Sequence, residues 1–209
     1  MYIPRINQMP DHDEILSFMR QYSFAILVSV NEGIPVATHL PVTVHEQGEA
    51  EPLILRSHLA KANPQWQTLD SQECLVIFSA PHAYISTQHY DKVETVPTWN
   101  YMAVHAYGQA EVLTFESAPE RLESILSDLI MASEAAYQQQ WDGLSARYHE
   151  GMMRGIVGIE MTVTRLEGKA KLSQNKNQDE QARIADHLLM QDDTAARETG
   201  QAMQQRLTE

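Results

Sequence analysis

At 209 residues and 43 % hydrophobic, the chain can bury one substantial core, so one domain with a helical appendage is expected. Net charge is −13, with 15 Lys and Arg against 28 Asp and Glu; with no dense basic stripe, helix-turn-helix, zinc finger or basic zipper, strong direct binding of duplex DNA is not expected. No apolar run approaches the roughly 18 residues that cross a bilayer, the start Met1-Tyr2-Ile3-Pro4-Arg5 lacks the marks of a secretion signal, and the single Cys74 excludes an internal disulfide and a Cys-only zinc site. A cytoplasmic protein is expected.

In chain order, Asp11 and Glu14 form a capping signal ahead of Ile15, Leu16, Phe18 and Met19, which predicts a short opening helix. Phe24 to Val30 is apolar on both faces and reads as a strand inside its sheet. Asn31-Glu32-Gly33 is a turn, and Ile34 to Val44 reads as the hairpin partner, with Pro35 and Pro41 confined to strand ends or unpaired edges. A polar turn at Glu46 to Glu49 precedes a strand at Leu53 to Arg56. Asn63-Pro64 is an N-cap followed by proline at N1, opening a short helix through Trp66 and Leu69.

Cys74 to Ser79 is the next strand, and Cys74 within it reads as a buried, inert thiol. Residues 80 to 98 read as loop, and Asn100 to Leu113 as a long strand. Pro119 opens an amphipathic helix with Leu122, Ile125, Leu126, Leu129 and Ile130 on one face. A further helix covers about Leu144 to Met152, and Ile156 to Arg165 is the last strong strand. From Gln178 the composition predicts two helices with weak apolar faces, broken near Asp192-Asp193. The pattern is that of an α+β barrel of about six strands with inserted and appended helices.

Common catalytic signatures are absent: no G-x-G-x-x-G, Walker A loop, H-E-x-x-H or G-x-S-x-G. His39, His58, His82, His89 and His105 match no local metal spacing, and each is compatible with a structural, ligand-contacting or metal role. Four segments place polar groups where a bland core would not. Ala37-Thr38-His39-Leu40-Pro41 interrupts an apolar strand. Arg56-Ser57-His58 and Lys61 lead into a helix N-terminus, and these are the group types a terminal phosphate needs. Alternation from Trp99 to Tyr107 puts Trp99, Tyr101, Ala103, His105 and Tyr107 on one face, which suits either a planar heteroaromatic ligand or a subunit interface. Lys169-Ala170-Lys171-Leu172-Ser173-Gln174-Asn175 can close over an anion or be a solvated loop.

In these segments the chain resembles the PaiB-like FMN-binding negative transcriptional regulators of the flavin split-barrel group. The matching stretches are Met1-Tyr2-Ile3-Pro4, Ala37-Thr38-His39-Leu40-Pro41, the run from His58 to Trp66, Ala83-Tyr84-Ile85-Ser86, and Val96-Pro97-Thr98-Trp99-Asn100-Tyr101. Val104 to Gly108, Ile156 to Glu160 and Glu167 to Asn175 follow in the expected order. The loop after Ser86 departs from the family pattern, reading Thr87-Gln88-His89-Tyr90 without the usual proline and tryptophan.

The resemblance implies a six-stranded split β-barrel over residues 1–175, a helical extension over 176–209 packed on the barrel or a partner subunit, and a homodimer with FMN near the subunit interface. By position, Thr38, His39 and Leu40 would lie along the flavin, Arg56, Ser57, His58 and Lys61 would take its phosphate, and Trp99 and Asn100 would meet the isoalloxazine, with Lys171, Ser173 and Gln174 as further contacts. No metal is implied. The family implies regulation through a flavin or small-molecule signal; the alternatives are an FMN-dependent oxidoreductase, in which His39, His58 or His105 can each serve as base, and a haem-binding protein.

Overall fold

The computed structural model describes residues 1–48 and 51–208, so the expected turn at Glu46 to Glu49 lies partly outside the described residues. The chain divides into two compact units: Leu16–Phe78 with His105–Leu166, and Met1–Ile15 with Ser79–Val104 and Glu167–Glu209. The first is the barrel unit. Helix α1 (His12–Gln21) carries Asp13 and Glu14 in its first turn, where carboxylates complement the helix dipole.

In the barrel unit β1 (Phe24–Asn31) and β2 (Ile34–Pro41) form a hairpin. Glu32 and Gly33 turn it at φ +51° and +80°, the left-handed values that a two-residue hairpin loop needs to match strand twist. The strand expected over Ile34 to Val44 is two strands. Pro41 has no N–H to give the ladder, and the Val42 N–H goes to the Ser23 carbonyl at 2.9 Å. The chain then leaves β1 and pairs as β3 (Thr43–His45) with β4 (Ile54–Ala60). The sheet therefore has seven strands rather than six.

Its order is β2-β1-β5-β6-β7-β4-β3, with β5 (Glu73–Ile85), β6 (Thr98–Leu113) and β7 (Ile156–Lys171). Its two edge strands, β2 and β3, are consecutive in the chain with only Val42 between them. The Ser57 hydroxyl on β4 donates to the Pro41 carbonyl at 2.5 Å, tying the two edges together. Inside, Leu27, Leu40, Val42, Leu55, Val76, Ile159 and Met161 leave a void of about 10 Å³, at or below what one water needs. The barrel interior is core and has no room for a ligand.

Helix α2 (Pro119–Glu134) begins with proline in its first turn and buries Leu122, Ile125 and Leu129, as its periodicity predicts. It packs on β7 at Gly158, where a Cβ would stand 2.8 Å from a Leu122 methyl. Short α3 (Gln138–Asp142) and α4 (Ala146–Arg154) follow, the latter capped by Ser145. Asn63 caps the next segment as expected, its side chain accepting from the Gln65 N–H, but Pro64–Ser71 winds as a 3-10 helix.

The second unit contains the end segments of β5, β6 and β7, with α5 (Gln178–Leu189) and α6 (Thr194–Thr208). β5 continues through residues expected to be loop, because Pro81, Ala83 and Ile85 keep the inward alternation of a strand. A full capping box at Asn177 and Glu180 starts α5. Gly200 lets α6 approach α5, since a Cβ there would lie 2.9 Å from the Ala185 carbonyl oxygen. Among the described residues no helix is long and apolar enough to cross a membrane.

Candidate functional site

Period-two geometry distributes the implied phosphate residues over two faces of β4. Leu55, Ser57 and Leu59 are buried inward, so Arg56 and His58 point to the other side. The Ser57 hydroxyl is engaged with Pro41. Arg56 lies between two carboxylates, Asp128 and Glu160, each at 2.8 Å, which anchors α2 and β7 to β4. The Glu160 contact is close, but its N–H is not aligned as a hydrogen bond. His58 Nδ1 is buried and has no hydrogen-bond partner among the described residues. Lys61, just past the strand, keeps a partly exposed ammonium 3.4 Å from Glu116.

Of the flavin-edge residues, Leu40 is buried in the barrel interior, whereas His39 is exposed beside Phe24, with ring centroids 6.3 Å apart. Thr38 belongs to a network centred on Gln65, which is only 4 % exposed. The Thr38 hydroxyl donates to Gln65 Oε1 at 2.6 Å and accepts from Asn63 Nδ2 at 2.9 Å. Gln65 Nε2 reaches Ser29 Oγ at 3.0 Å and the carbonyls of Val36 and Leu27. This network fixes the capped turn that carries Lys61 against the β1–β2 hairpin, and Trp66 Nε1 donates to the Lys61 carbonyl at 3.0 Å.

The second unit holds a cavity of about 490 Å³ whose lining includes Tyr90, Thr98, Asn100, Lys171, Ser173 and Lys176. Asn100 is fully buried; its Nδ2 donates to Ser173 Oγ at 2.9 Å and lies 3.4 Å from Met203 sulfur. Ser173 has φ +64°, a left-handed backbone that persists in a non-glycine residue where its surroundings hold it. Gln174 holds that turn, accepting from the Leu172 N–H at 2.7 Å and donating to the Ala170 carbonyl at 2.5 Å. Lys171 Nζ donates to the Trp99 carbonyl at 2.8 Å and to the Thr98 hydroxyl; burial is the chief cause pushing its pKa down. Lys176 lies 3.5 Å above the Tyr90 ring. Alternation on β6 turns Trp99 away from this cavity while Thr98 and Asn100 face it.

A family model described as "Putative FMN-binding domain" matches residues 1–165. The chain is 34 % identical, over 99 % of its length and 98 % of the relative's, to "Protease synthase and sporulation protein PAI 2" of Bacillus subtilis (strain 168). The chain belongs to the PaiB-like FMN-binding family. FMN is the cofactor of that family. Solved structures share the fold: the flavocytochrome Anf3 of Azotobacter vinelandii has TM-score 0.56 and 16 % identity over 81 % of this chain and 72 % of that one. The FAD and heme binding protein of Mycobacterium smegmatis has TM-score 0.55 and 14 % identity over 79 % and 73 %. The architecture is accordingly an α+β fold built on an antiparallel sheet, which it shares with these two structures.

Among the residues implied for this PaiB-like protein, the structure brings Asn100, Lys171 and Ser173 together at one cavity, with Gln174 shaping its turn. Thr38 and Lys61 sit together with Asn63 and Gln65 in the barrel unit. The sequence reading missed Thr98, Tyr90 and Lys176 as cavity lining, and Gln65 as the centre of the Thr38 network. Gln65 lies within the matched run from His58 to Trp66, directly after the Asn63-Pro64 cap.

His58 generates a pH prediction. Burial lowers its pKa below the ordinary 6.5, so on acidification the unfolded chain takes up this proton before the folded one does, and stability falls as pH drops below about 6.5. The denaturant midpoint is expected to decrease between pH 7.5 and 5.5, and His58→Asn should make that decrease shallower. An unchanged slope in the variant contradicts the assignment. His45 and His89, also lowered by burial, keep the slope from vanishing.

Proposed function

We propose that the 490 Å³ cavity of the second unit receives the flavin, and that the protein is a regulator whose signal is the state of that flavin or of a small molecule beside it. The observation that carries this reading is the donor set around one cavity of cofactor size. Lys171 and Lys176 are cations suited to a phosphate, Thr98 offers a hydroxyl for a polyol, and the buried Asn100–Ser173 pair fixes the wall beneath them, with Glu94 the carboxylate in the lining. The residues present therefore fit FMN, which supplies redox-active ring chemistry when bound. Lys61, in the barrel unit, is the cationic candidate of the alternative reading in which the flavin phosphate is held there instead. In this reading residues 1–175 form the flavin domain, and 176–209 are a helical extension that supports the cavity.

A homodimer is part of the proposal. On the outward face of β1 and β5, Phe24 and Val30 are 69 % and 46 % exposed, beside half-buried Ile26, Val28, Leu75 and Ile77. Apolar patches of this kind mark association surfaces. Regulation by direct DNA reading is disfavoured. Arg20, Arg56, Lys61, Arg121, Arg154, Arg183 and Arg206 already pair with carboxylates, and 28 Asp and Glu outnumber the 15 Lys and Arg, which opposes approach to a polyphosphate backbone.

Three measurements test these statements. In titrations followed by flavin absorbance, Lys171→Met and Lys61→Ala should be compared for FMN and riboflavin. A loss of about tenfold or more for FMN, with riboflavin less affected, identifies a phosphate lysine; equal losses, or none in either variant, overturn the assignment. Sedimentation should give a dimer for the wild type and a monomer for Phe24→Asp, and a monomeric wild type refutes the interface. Gel-shift assays at moderate salt should show no sequence-selective retardation of promoter fragments, and a selective shift rules out indirect regulation.

A further inference from the structure

The second unit contains another cavity, of about 290 Å³, that the flavin reading does not use. The same alternation that turns Thr98 and Asn100 toward the first cavity turns Trp99 toward this one. Trp99 is 52 % exposed, meets the Tyr84 ring edge-on at 6.1 Å and lies 5.5 Å from the His82 ring. The turn after β5 and helix α5 add His89 and His187, with ring centroids 4.4 Å apart. Gln191 Nε2 lies 3.0 Å from His187 Nε2. Ala83, Leu188 and Ala196 contribute buried apolar surface.

The lining is selective in charge. It includes no Lys or Arg, and its one carboxylate is Asp193, which also accepts from the Ala195 N–H at 3.0 Å at the start of α6. The turn itself is braced: Arg183 reaches the His89 carbonyl at 3.1 Å and Asp91 at 2.5 Å, and the Asp91 N–H donates to Glu180 Oε1 at 2.9 Å. The aromatic walls are thus fixed from α5 and do not depend on a ligand to assemble.

We propose that this second cavity binds a planar heteroaromatic ring that is neutral or carries one positive charge. Indole, phenol and imidazole faces supply stacking area for a flat ring, and the electron-rich faces of Trp99 and Tyr84 attract a ring cation. Imidazole nitrogens and the Gln191 amide supply hydrogen-bond partners at the ring edge. An anion meets Asp193 and a chain of net charge −13; the bordering Arg183 and Arg197 are engaged with Asp91 and with the Gln191 and Asp192 carbonyls. The volume is near the lower end of ligand pockets, about 300 Å³, so one ring system fits and a dinucleotide does not.

The test uses three probes with one ring and three charges, nicotinamide, 1-methylnicotinamide and nicotinate, binding to FMN-loaded protein and followed by ligand-observed NMR. The first two are expected to bind in the millimolar range, and nicotinate about tenfold more weakly or worse. Ala196→Phe, which fills the cavity, should abolish binding; should that variant fail to fold, His187→Ala should weaken binding several-fold. Asp193→Asn keeps a capping side chain and should weaken 1-methylnicotinamide more than nicotinamide.

No binding of either favoured probe at tens of millimolar, equal binding of nicotinate, or insensitivity to both the Ala196 and His187 changes overturns the proposal. Release of FMN by the probes, seen in the flavin spectrum, also overturns it, because the rings would then occupy the flavin's seat. Ring binding to protein that takes up no FMN supports this cavity and counts against the flavin assignment alone.

Discussion

The barrel depends on what happens at Pro41. The strand that begins as the partner of β1 keeps that register through the Val42 N–H on the Ser23 carbonyl and becomes the partner of β4 from Thr43. Pro41, which has no N–H to give a further neighbour, stands just before the crossover. One stretch of chain thus supplies both edges of the sheet. The Ser57 hydroxyl on the Pro41 carbonyl uses an acceptor at the seam that the ladder leaves available. Bringing the two edges near one another in this way turns one face of the barrel strands inward. With so few strands the interior fills with side chains, as the residual void of about 10 Å³ records. Ligand chemistry is thereby confined to outward faces, turns and the second unit.

Electrostatics follow a similar economy. The chain carries an excess of carboxylates, and its arginines are spent on tying elements to one another. Arg56 joins β4 to Asp128 on α2 and Glu160 on β7, and Arg121 joins Glu111 and Glu160. An isolated exposed pair contributes little, but Arg56 and Arg121 share Glu160, which is itself largely buried at 13 % side-chain exposure, so that network has a positional role. Lys171 differs from these: it binds a backbone carbonyl and a hydroxyl and pairs with no carboxylate among the described contacts. A cation held by neutral partners keeps its charge uncompensated and directs it at whatever anion enters.

Much of this was legible from residue pattern. The α2 stripe, the Asn63-Pro64 cap, the α5–α6 break and the alternation of Trp99 through Tyr107 all follow from periodicities of 3.6 and 2.0 or from capping chemistry, which act over a few residues. What was not legible depends on partners distant in sequence. Nothing local says that Thr43 will change partner to Arg56 and divide a strand, or that Pro81 will continue one. Arg56-Ser57-His58 reads as one polar cluster, yet in a strand neighbours oppose each other, so Ser57 closes the barrel while Arg56 and His58 face the helix side. Phe24 to Val30 reads as buried on both faces because both are apolar; its outward face is exposed in a single chain.

The same opposition of neighbours gives β6 its double role. Thr98 and Asn100 belong to one cavity and Trp99 to the other, so consecutive residues of one strand help wall both. The Trp99 backbone belongs to the first cavity as well, through the Lys171 ammonium on its carbonyl. A strand is stiff along its length and shares its hydrogen bonds with β5 and β7, so a shift of β6 that repositions Asn100 also moves the indole of Trp99. The two cavities are therefore separate in their linings and common in their support.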